Sequence, residues 1–336
     1  MPNKVTKILQ SQSFTLALIG AVLTAIFLPE LGVKGGPLKT EITTKIAVAL
    51  TFVIQGLSLP TRHIAASAAK FRLHAFCQVA IFVLSPALML GFLAVFGSWI
   101  HLEMKAGFFY LAALPTTISS AIVMTSNSEG DSSAALFSTT LSNVLGIFIT
   151  PLLCAQFLAA SSDAAPPLSS LIAKLSLLVL LPLVLGQLIR PFVREWALAS
   201  KKLFKRLSNS FIVFIVYAAF CQSVSNGIWA DIGAGAVVST LLFTLLFLLL
   251  FSTVVWYASP IASSKMPERI AAFFCGSQKT LAAGVPMASI LFATLPGTSE
   301  FQTIGLIILP LMCYHPLQLL LAGGISPYLA KLAKRS

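Results

Sequence analysis

A lysine stands among polar residues in the middle of an apolar run of this sequence. The stretch CGSQKTLAAGVP begins at Cys275 and carries Gly276, Ser277, Gln278 and Lys279. An ammonium group near the centre of a bilayer costs at least about 2.5–3.5 kcal/mol, so it normally has a partner or a function. Three roles are open: the ammonium replaces a bound cation, binds an anionic substrate, or carries a transported proton. In a fourth, purely structural role the side chain snorkels to the water interface.

A second polar interruption follows a proline in an earlier apolar run. In AGFFYLAALPTTISSAIVMTS, Pro115 removes an amide donor and is followed by Thr116, Thr117, Ser119 and Ser120. Both interruptions begin about 12–14 Å into their runs, which is near the midplane of a membrane. Carbonyl and hydroxyl oxygens at this depth suit Na⁺, and unpaired amide N–H groups suit an anion. The alternative is that both interruptions are simple kinks in packed helices.

Further polar side chains fall inside apolar runs. Gln78 and Asn143 are the stronger candidates for a site, because an amide that faces lipid is costly. Thr139 belongs to a hydroxyl-rich run in which each side chain can also bond its own backbone. His315, which precedes Pro316, fits a hydrogen-bonding group between helices better than a proton carrier.

The composition is that of an integral membrane protein. Of the 336 residues, 57% are hydrophobic and 10% are charged, whereas a soluble chain of this length needs more charge on its surface. The net charge of +12 fits Lys and Arg in cytoplasmic loops, so no nucleic-acid partner is expected. The five cysteines show no metal-type spacing. Because metalloprotease, serine-hydrolase and ATP-binding motifs are also missing from the sequence, we do not expect an enzyme.

The apolar blocks predict ten membrane-spanning helices. Their approximate bounds are 14–31, 42–59, 73–96, 106–126, 133–159, 169–190, 208–227, 234–257, 268–293 and 301–328. The termini and loops of one face hold 16 Lys and Arg residues against 5 on the other, which predicts that both termini are cytoplasmic. We expect the protein in a bacterial inner (plasma) membrane.

The ten spans divide into two halves of five, residues 1–160 and 161–336. Because each half has an odd number of spans, the halves have opposite topology. The predicted fold is therefore all-α, with two inverted five-helix repeats. The interrupted spans are the fourth and the ninth, which hold equivalent places in the two halves, as expected for a transporter with a midplane binding site.

Five stretches resemble the bile acid:sodium symporter family, and within it the SBF-like orphan branch. They are GVKGGPLKTEIT (32–43), QGLSLPT (55–61), TTISS (116–120), GSQKTLAAGVPM (276–287) and LPLMCYHPLQLLLAG (309–323). The resemblance implies a panel domain of helices 1, 2, 6 and 7 and a core domain of helices 3–5 and 8–10. In the core, helices 4 and 9 unwind and cross, and substrate binds between panel and core during alternating access.

The resemblance also implies where ions and substrate bind. The sodium ligands it implies are Ser119, Ser120, Thr139 and Gln278. The full set of expected ion- and substrate-binding residues is Gln78, Ser119, Ser120, Thr139, Asn143, Gly276, Ser277, Gln278, Lys279 and His315. Two departures from the family pattern count against coupling to two sodium ions: Phe274 replaces an acidic ligand, and Lys279 replaces an asparagine.

The sequence thus predicts a secondary active transporter, a sodium- or proton-coupled symporter of an organic anion. The alternative is a membrane regulator or sensor of ion homeostasis that uses the transporter fold without net substrate flux. Na⁺ is the one candidate cofactor, and the expected partners are a small-molecule substrate and membrane lipid. No particular oligomeric state follows from the sequence.

Overall fold

The computed structural model describes residues 13–58, 69–161, 176–292 and 304–335. Within these ranges the chain is helical and contains no strand. Six helices are long and apolar enough to cross a membrane, and two shorter apolar helices are Ser13–Phe27 and Leu177–Ile189. The six are Thr40–Ser58, Phe71–Trp99, Ser132–Leu158, Lys201–Ser225, Gly235–Ile261 and Ile304–Ala333. The chain is therefore an all-helical, multi-pass membrane protein, and the ten-helix inverted repeat stays a prediction.

The helices are numbered in chain order. They are α1 (Ser13–Phe27), α2 (Pro29–Gly32), α3 (Thr40–Ser58), α4 (Phe71–Val79), α5 (Ser85–Phe96), α6 (Leu102–Ala113), α7 (Ser119–Asn127), α8 (Ser132–Ser161), α9 (Leu181–Ile189), α10 (Arg194–Ala199), α11 (Lys201–Ser225), α12 (Ile228–Ala258), α13 (Met266–Ser277), α14 (Leu281–Leu291) and α15 (Ile304–Ala333). A π-helical turn, Ala80–Leu84, joins α4 to α5, and another, Ser176–Leu180, leads into α9.

Two helices extend beyond the spans that hydropathy predicts. The basic segment from Arg190 to Arg206, expected to be a loop, contains α10 and the beginning of α11. Likewise, α15 continues to Ala333, past the predicted end at residue 328. Hydropathy marks where the hydrocarbon core ends. A helix can continue into water because its backbone hydrogen bonds are made within the segment.

The chain folds into two compact units. The first unit comprises Met1–Ser58, Ala173–Gly233 and Val285–Gly305, and the second comprises Leu59–Ile172, Ala234–Gly284 and Leu306–Ser336. The predicted division into residues 1–160 and 161–336 concerns internal symmetry and stays a prediction. All of the predicted site residues lie in the second unit.

In the first unit, α3 and α9 pack backbone against backbone. A Cβ atom added to Gly56 would lie 2.3 Å from the carbonyl oxygen of Leu183, and one added to Gly186 would lie 2.3 Å from the carbonyl oxygen of Val53. The Gln187 amide donates to the Gly56 carbonyl at 2.6 Å across the same contact. Small residues that let backbones approach are a common device for packing helices in membranes. This contact therefore tolerates glycine alone at these two positions.

In the second unit, a cluster of three charged residues ties together the beginnings of α4, α8 and α13. The Lys70 ammonium donates to the Asp131 carboxylate and, at 2.6 Å, to the Glu268 carboxylate. Asp131 also caps α8, because its carboxylate accepts hydrogen bonds from the backbone N–H groups of Ser133 and Ala134 at 3.1 and 2.9 Å. Residues far apart in the sequence are thereby fixed at one end of the unit.

We expect Gly56→Leu to destabilise the protein strongly, because the new side chain has no space between α3 and α9. Overpacking of this kind costs about 1–3 kcal/mol. The matched control is Gly20→Leu in α1, where an added Cβ meets nothing within 4 Å. Thermal unfolding in detergent should show a lower midpoint for the first variant alone, and equal midpoints would contradict the close packing.

We expect the Lys70–Asp131 contact to make stability depend on acidic pH. Burial by itself raises the pKa of Asp131, but the hydrogen bonds from Lys70 and from the Ala134 backbone outweigh it, so the pKa lies below its ordinary value. A depressed carboxyl pKa gives stability that is present above the unfolded value of about 3.9 and is lost as pH falls below it.

The expected contribution is about 0.2–1 kcal/mol, since both side chains are partly exposed. Unfolding measured from pH 7 to pH 3 should show a smaller acid-side loss for Asp131→Asn than for the wild type. Glu195→Gln, which changes an exposed carboxylate on α10, serves as the control. If the stability of Asp131→Asn depended on pH in the same way as that of the wild type, the Lys70–Asp131 contact would not be the source of the acid-side loss.

Candidate functional site

The first predicted interruption separates α6 from α7. The helix ends at Ala113 and resumes at Ser119, and between them Leu114 is extended with φ −69° and ψ 148°. A residue before proline is driven out of the helical region by the proline ring, so Pro115 determines where α6 stops. The last carbonyl groups of α6 are left without donors from their own helix.

The second predicted interruption separates α13 from α14 and contacts the first. Gln278 is extended, with φ −85° and ψ 153°, and α14 begins at Leu281. The backbone N–H of Thr280 donates to the carbonyl oxygen of Pro115 at 3.0 Å. The two interruptions that the sequence places in equivalent spans therefore meet in space.

The Lys279 side chain is fully buried where the interruptions meet. Its Nζ atom lies 3.2, 2.6 and 2.9 Å from the backbone carbonyl oxygens of Ile81, Ala112 and Leu114. The Phe251 ring centroid lies 5.5 Å from Nζ, within the range of a cation–π contact. An ammonium has three N–H donors, and each has an acceptor here. The charge is thus held by backbone dipoles.

The Ile81 carbonyl is open because of the π-helical turn Ala80–Leu84 and the proline after it. Within this turn the Ser85 N–H donates to the Ala80 carbonyl, five residues back. In the same pattern the donor to Ile81 would be Pro86, which has no N–H. Lys279 supplies the missing donor.

The Ala112 carbonyl is open because its expected donor is used elsewhere. In a continuous helix the Thr116 N–H would donate to it, but this N–H donates to the Ser142 hydroxyl at 3.2 Å. Ala112 accepts instead from Lys279 and, at 2.9 Å, from the Ser85 hydroxyl. The C-terminus of a helix carries a partial negative charge, so an ammonium there is stabilised electrostatically.

The backbone of the second interruption is held by α15. The Gln318 side chain accepts from the Lys279 N–H at 2.8 Å and donates to the Lys279 carbonyl at 2.9 Å. The Tyr314 hydroxyl, one turn earlier, donates to the Ser277 carbonyl at 2.8 Å. His315 lies 3.1 Å from the Gln318 amide nitrogen, so it supports this arrangement from within α15. Neither Tyr314 nor Gln318 was among the expected site residues, although their four-residue spacing places them on one helix face.

Ser120 and Gln278 link the two interruptions through their side chains. The Ser120 hydroxyl lies 2.9 Å from the Gln278 Oε1 atom and 3.1 Å from the Thr117 hydroxyl. Gln278 is 2% exposed, and its Nε2 atom has no hydrogen-bond partner within the described residues. Ser119, in contrast, is exposed at the first residue of α7. Of the expected serine pair, the structure therefore brings one hydroxyl to the second interruption.

Asn143 contacts the first interruption, whereas Gln78 contacts the neighbouring helix α8. The Asn143 amide donates to the carbonyls of Thr116 and Thr139 at 2.8 Å each. The Gln78 amide donates to the Ser138 carbonyl at 3.2 Å, while its Oε1 atom is buried and has no partner in the part of the chain described. Asn143 thus holds the backbone, and Gln78 presents an acceptor oxygen.

The remaining predicted hydroxyls bond to their own helices. Thr139 donates to the Leu136 carbonyl at 3.2 Å, and Ser277 donates to the Phe273 carbonyl at 2.7 Å. Such local bonds are usual for serine and threonine in apolar helices. Each oxygen keeps lone pairs that can bind a cation.

Small residues allow the interrupted segments to approach their neighbours. A Cβ atom added to Gly276 would lie 3.0 Å from the Val255 side chain and 3.3 Å from that of Ala80. A Cβ on Gly146 of α8 would lie 2.6 Å from the Pro115 ring. Glycine is therefore required at position 146 beside the proline, whereas a larger residue at position 276 has to displace the Val255 side chain by a few tenths of an ångström.

This geometry decides between the structural readings of Lys279. Snorkelling is wrong, because the side chain is fully buried and its ammonium contacts three carbonyls. A simple kink is also wrong for both interruptions, since each contains non-helical backbone. Within the described ranges, the ion-paired carboxylates are Glu129, Asp131 and Glu268, and none hydrogen bonds to either interruption.

The sequence matches the model of a protein family described as "SBF-like CPA transporter family" over residues 12–331. It is 36% identical over 315 residues to "Putative symporter YfeH" of Escherichia coli (strain K12), covering 93% of this chain and 91% of that protein. It is 32% identical to "Sodium/bile acid cotransporter 7-B" of Xenopus laevis, covering 95% and 92% of the two chains. Identity to "Sodium/bile acid cotransporter 7" of Mus musculus is also 32%, covering 94% and 91%.

We expect Lys279→Met to lower stability, because it leaves the buried carbonyls of Ile81 and Leu114 without a donor, while the Ala112 carbonyl keeps the Ser85 hydroxyl. Each unpaired carbonyl costs about 1–3 kcal/mol. The net loss of stability is smaller than the sum of these costs, because the variant no longer has to bury an ammonium group. The control is Lys265→Met, which changes an exposed lysine just before α13. Unfolding midpoints in detergent test this, and a Lys279→Met midpoint at or above that of the control would contradict it.

Proposed function

Because the chain belongs to the SBF-like CPA transporter family, we propose that it is a secondary active transporter that carries an organic anion by alternating access. The observation that supports this most directly is the meeting of two interrupted helices in the second unit, joined by Thr280 and Pro115. Interrupted helices at membrane depth are a recurring basis for substrate and ion sites in transporters. The proposed architecture has ten helices in two inverted repeats, with both termini in the cytoplasm.

Charge at the site supports an anionic substrate. The buried Lys279 ammonium is balanced by carbonyl dipoles, which carry partial charges, and in the described structure no carboxylate bonds to it. A protonated Lys279 therefore gives the site a net positive charge, which favours an anion nearby. Gln278 adds a buried amide donor without a partner in the described residues. Because every ammonium N–H faces a carbonyl, Lys279 attracts the anion electrostatically and does not hydrogen bond to it. The proposed hydrogen-bond donor to the anion is the Gln278 amide.

Buried side-chain oxygens support sodium over a proton as the coupling ion. Oxygen atoms suitable for Na⁺ are present nearby. In the part of the chain that the structure describes, the buried oxygens without a hydrogen-bond partner include Gln78 Oε1, Thr116 Oγ1 and Thr140 Oγ1.

We propose that Lys279 permanently occupies the place of one cation and that a single Na⁺ is coupled to transport. The proposed ligands are Gln78, Ser119, Ser120, Thr139 and Gln278. Of the serine pair, Ser120 has the better position because it already contacts Gln278. One mobile ion beside a fixed ammonium predicts that uptake depends on sodium concentration with a Hill coefficient near one.

Transport by the purified protein in liposomes tests the proposal. A thermal-shift screen of organic anions, including taurocholate because of the relatives' names, would first select a probe that binds. Accumulation of that probe should require an inward sodium gradient, with a Hill coefficient near one. Gln78→Leu should raise the sodium concentration for half-maximal uptake at least about tenfold, since one lost ligand of about 1.4 kcal/mol has this effect. Gln55→Leu, in the first unit, is the control.

Three results would contradict this function. Binding of the probe without accumulation would indicate a sensor that uses the transporter fold. Accumulation driven by a pH gradient without sodium would indicate proton coupling. A Hill coefficient near two in the wild type would show that Lys279 does not take the place of a cation.

A further inference from the structure

In the first unit, α1 and α11 touch at one end and leave a groove between them at the other. Near the end of α1, the Tyr217 hydroxyl donates to the Leu28 carbonyl at 2.7 Å. Towards the beginnings of both helices there is a groove of about 730 Å³. It is lined by Ser13, Phe14, Ala17, Ala21, Thr24, Arg206, Asn209, Ser210, Val213, Phe214 and Tyr217. The groove lies entirely within the first unit.

The groove has a polar mouth and an apolar floor. Arg206, Asn209 and Ser210 line its mouth on α11, whereas Ala17 and Phe214 belong to the apolar part. From Arg206 to Tyr217 an α-helix rises about 16 Å. One leaflet of a bilayer contributes about 15 Å of hydrocarbon. The groove is therefore about as long as one membrane leaflet is thick, and Arg206, Asn209 and Ser210 line its end near the beginning of α11.

The segment at the mouth is strongly basic. Residues 190–206 contain Arg190, Arg194, Lys201, Lys202, Lys205 and Arg206 against one acid, Glu195. The lysines and Arg206 are exposed, and so are Phe192 and Trp196, with 88% and 55% of their surface accessible. Basic clusters next to membrane helices attract anionic headgroups at about 1 kcal/mol per side chain. Exposed aromatic rings beside them are typical of the membrane interface.

We infer that this groove binds an anionic phospholipid of the cytoplasmic leaflet. The phosphate accepts hydrogen bonds from Arg206, Asn209 and Ser210, and one acyl chain lies along Ala17 and Phe214. The basic mouth selects an anionic over a zwitterionic lipid, because the latter brings no net charge to the cluster. The apolar floor selects a lipid over a free phosphate, because a small ion leaves the floor uncovered. The site uses the proposed cytoplasmic side of the membrane but is independent of substrate and coupling ion.

Native mass spectrometry of the full chain in detergent tests this inference. Titration with dioleoyl phosphatidylglycerol should give binding at least tenfold tighter than with dioleoyl phosphatidylcholine. Arg206→Gln should weaken phosphatidylglycerol binding at least tenfold, whereas Arg194→Gln, an equal charge change in the same segment, should weaken it less than threefold. Ala17→Phe fills the groove from an exposed position and should reduce binding similarly. The control is Leu16→Phe, on the same helix but outside the groove.

The outcomes separate the possible occupants. Equal affinity for the two lipids, or unchanged binding in both Arg206→Gln and Ala17→Phe, would overturn the inference. Competition by millimolar inorganic phosphate would also overturn it, because it would identify a simple anion site. Displacement of the lipid by taurocholate would overturn it as well, because the groove would then belong to the transport pathway. These experiments measure lipid binding and not transport. A negative result here therefore does not contradict the proposed transport function, and a negative transport assay does not contradict lipid binding.

Discussion

The hydrogen bonding of one ammonium by three backbone carbonyls is the constraint on which the centre of the second unit depends. Lys279 reaches a π-helical turn through Ile81 and the end of α6 through Ala112 and Leu114. Neither backbone irregularity is stable alone in an apolar interior, since each leaves carbonyls without donors. The lysine, the π turn and the proline-terminated helix are therefore mutually dependent. The ammonium would be costly to bury alone, but here it supplies hydrogen-bond donors to open carbonyls at both irregularities.

The sequence predicted where the helices are interrupted but could not predict what satisfies them. Pro115 acts locally, because a proline ring constrains the residue before it whatever the tertiary structure. A lysine inside an apolar run likewise demands an explanation from its position alone. The acceptors of Lys279, in contrast, belong to main-chain atoms of Ile81, Ala112 and Leu114, which carry no side-chain signal. These carbonyls are open because of the π-helical turn Ala80–Leu84 and because the Thr116 N–H donates to Ser142. Both features result from packing.

The same limit applies to amide side chains. Asn143, one of the expected ion- and substrate-binding residues, also supports the backbone of the first interruption through its amide N–H groups. Gln318, which was not among the expected site residues, makes a pair of bonds to one residue of the second interruption. An amide side chain presents one donor and one acceptor, so its type fits both a binding site and a structural bridge. Only the position of its neighbours distinguishes the two.

The pair of bonds between Gln318 and Lys279 has a mechanical consequence. Because one amide engages both the N–H and the carbonyl of the same residue, a shift of α15 along its axis by a single residue breaks both bonds at once. The bond from Tyr314 to Ser277 adds a second fixed point one turn away. These two points set the register of α15 against the second interruption. Shear between α15 and the segment Ser277–Lys279 therefore costs three hydrogen bonds, and a conformational change that keeps them carries α15 and this segment together.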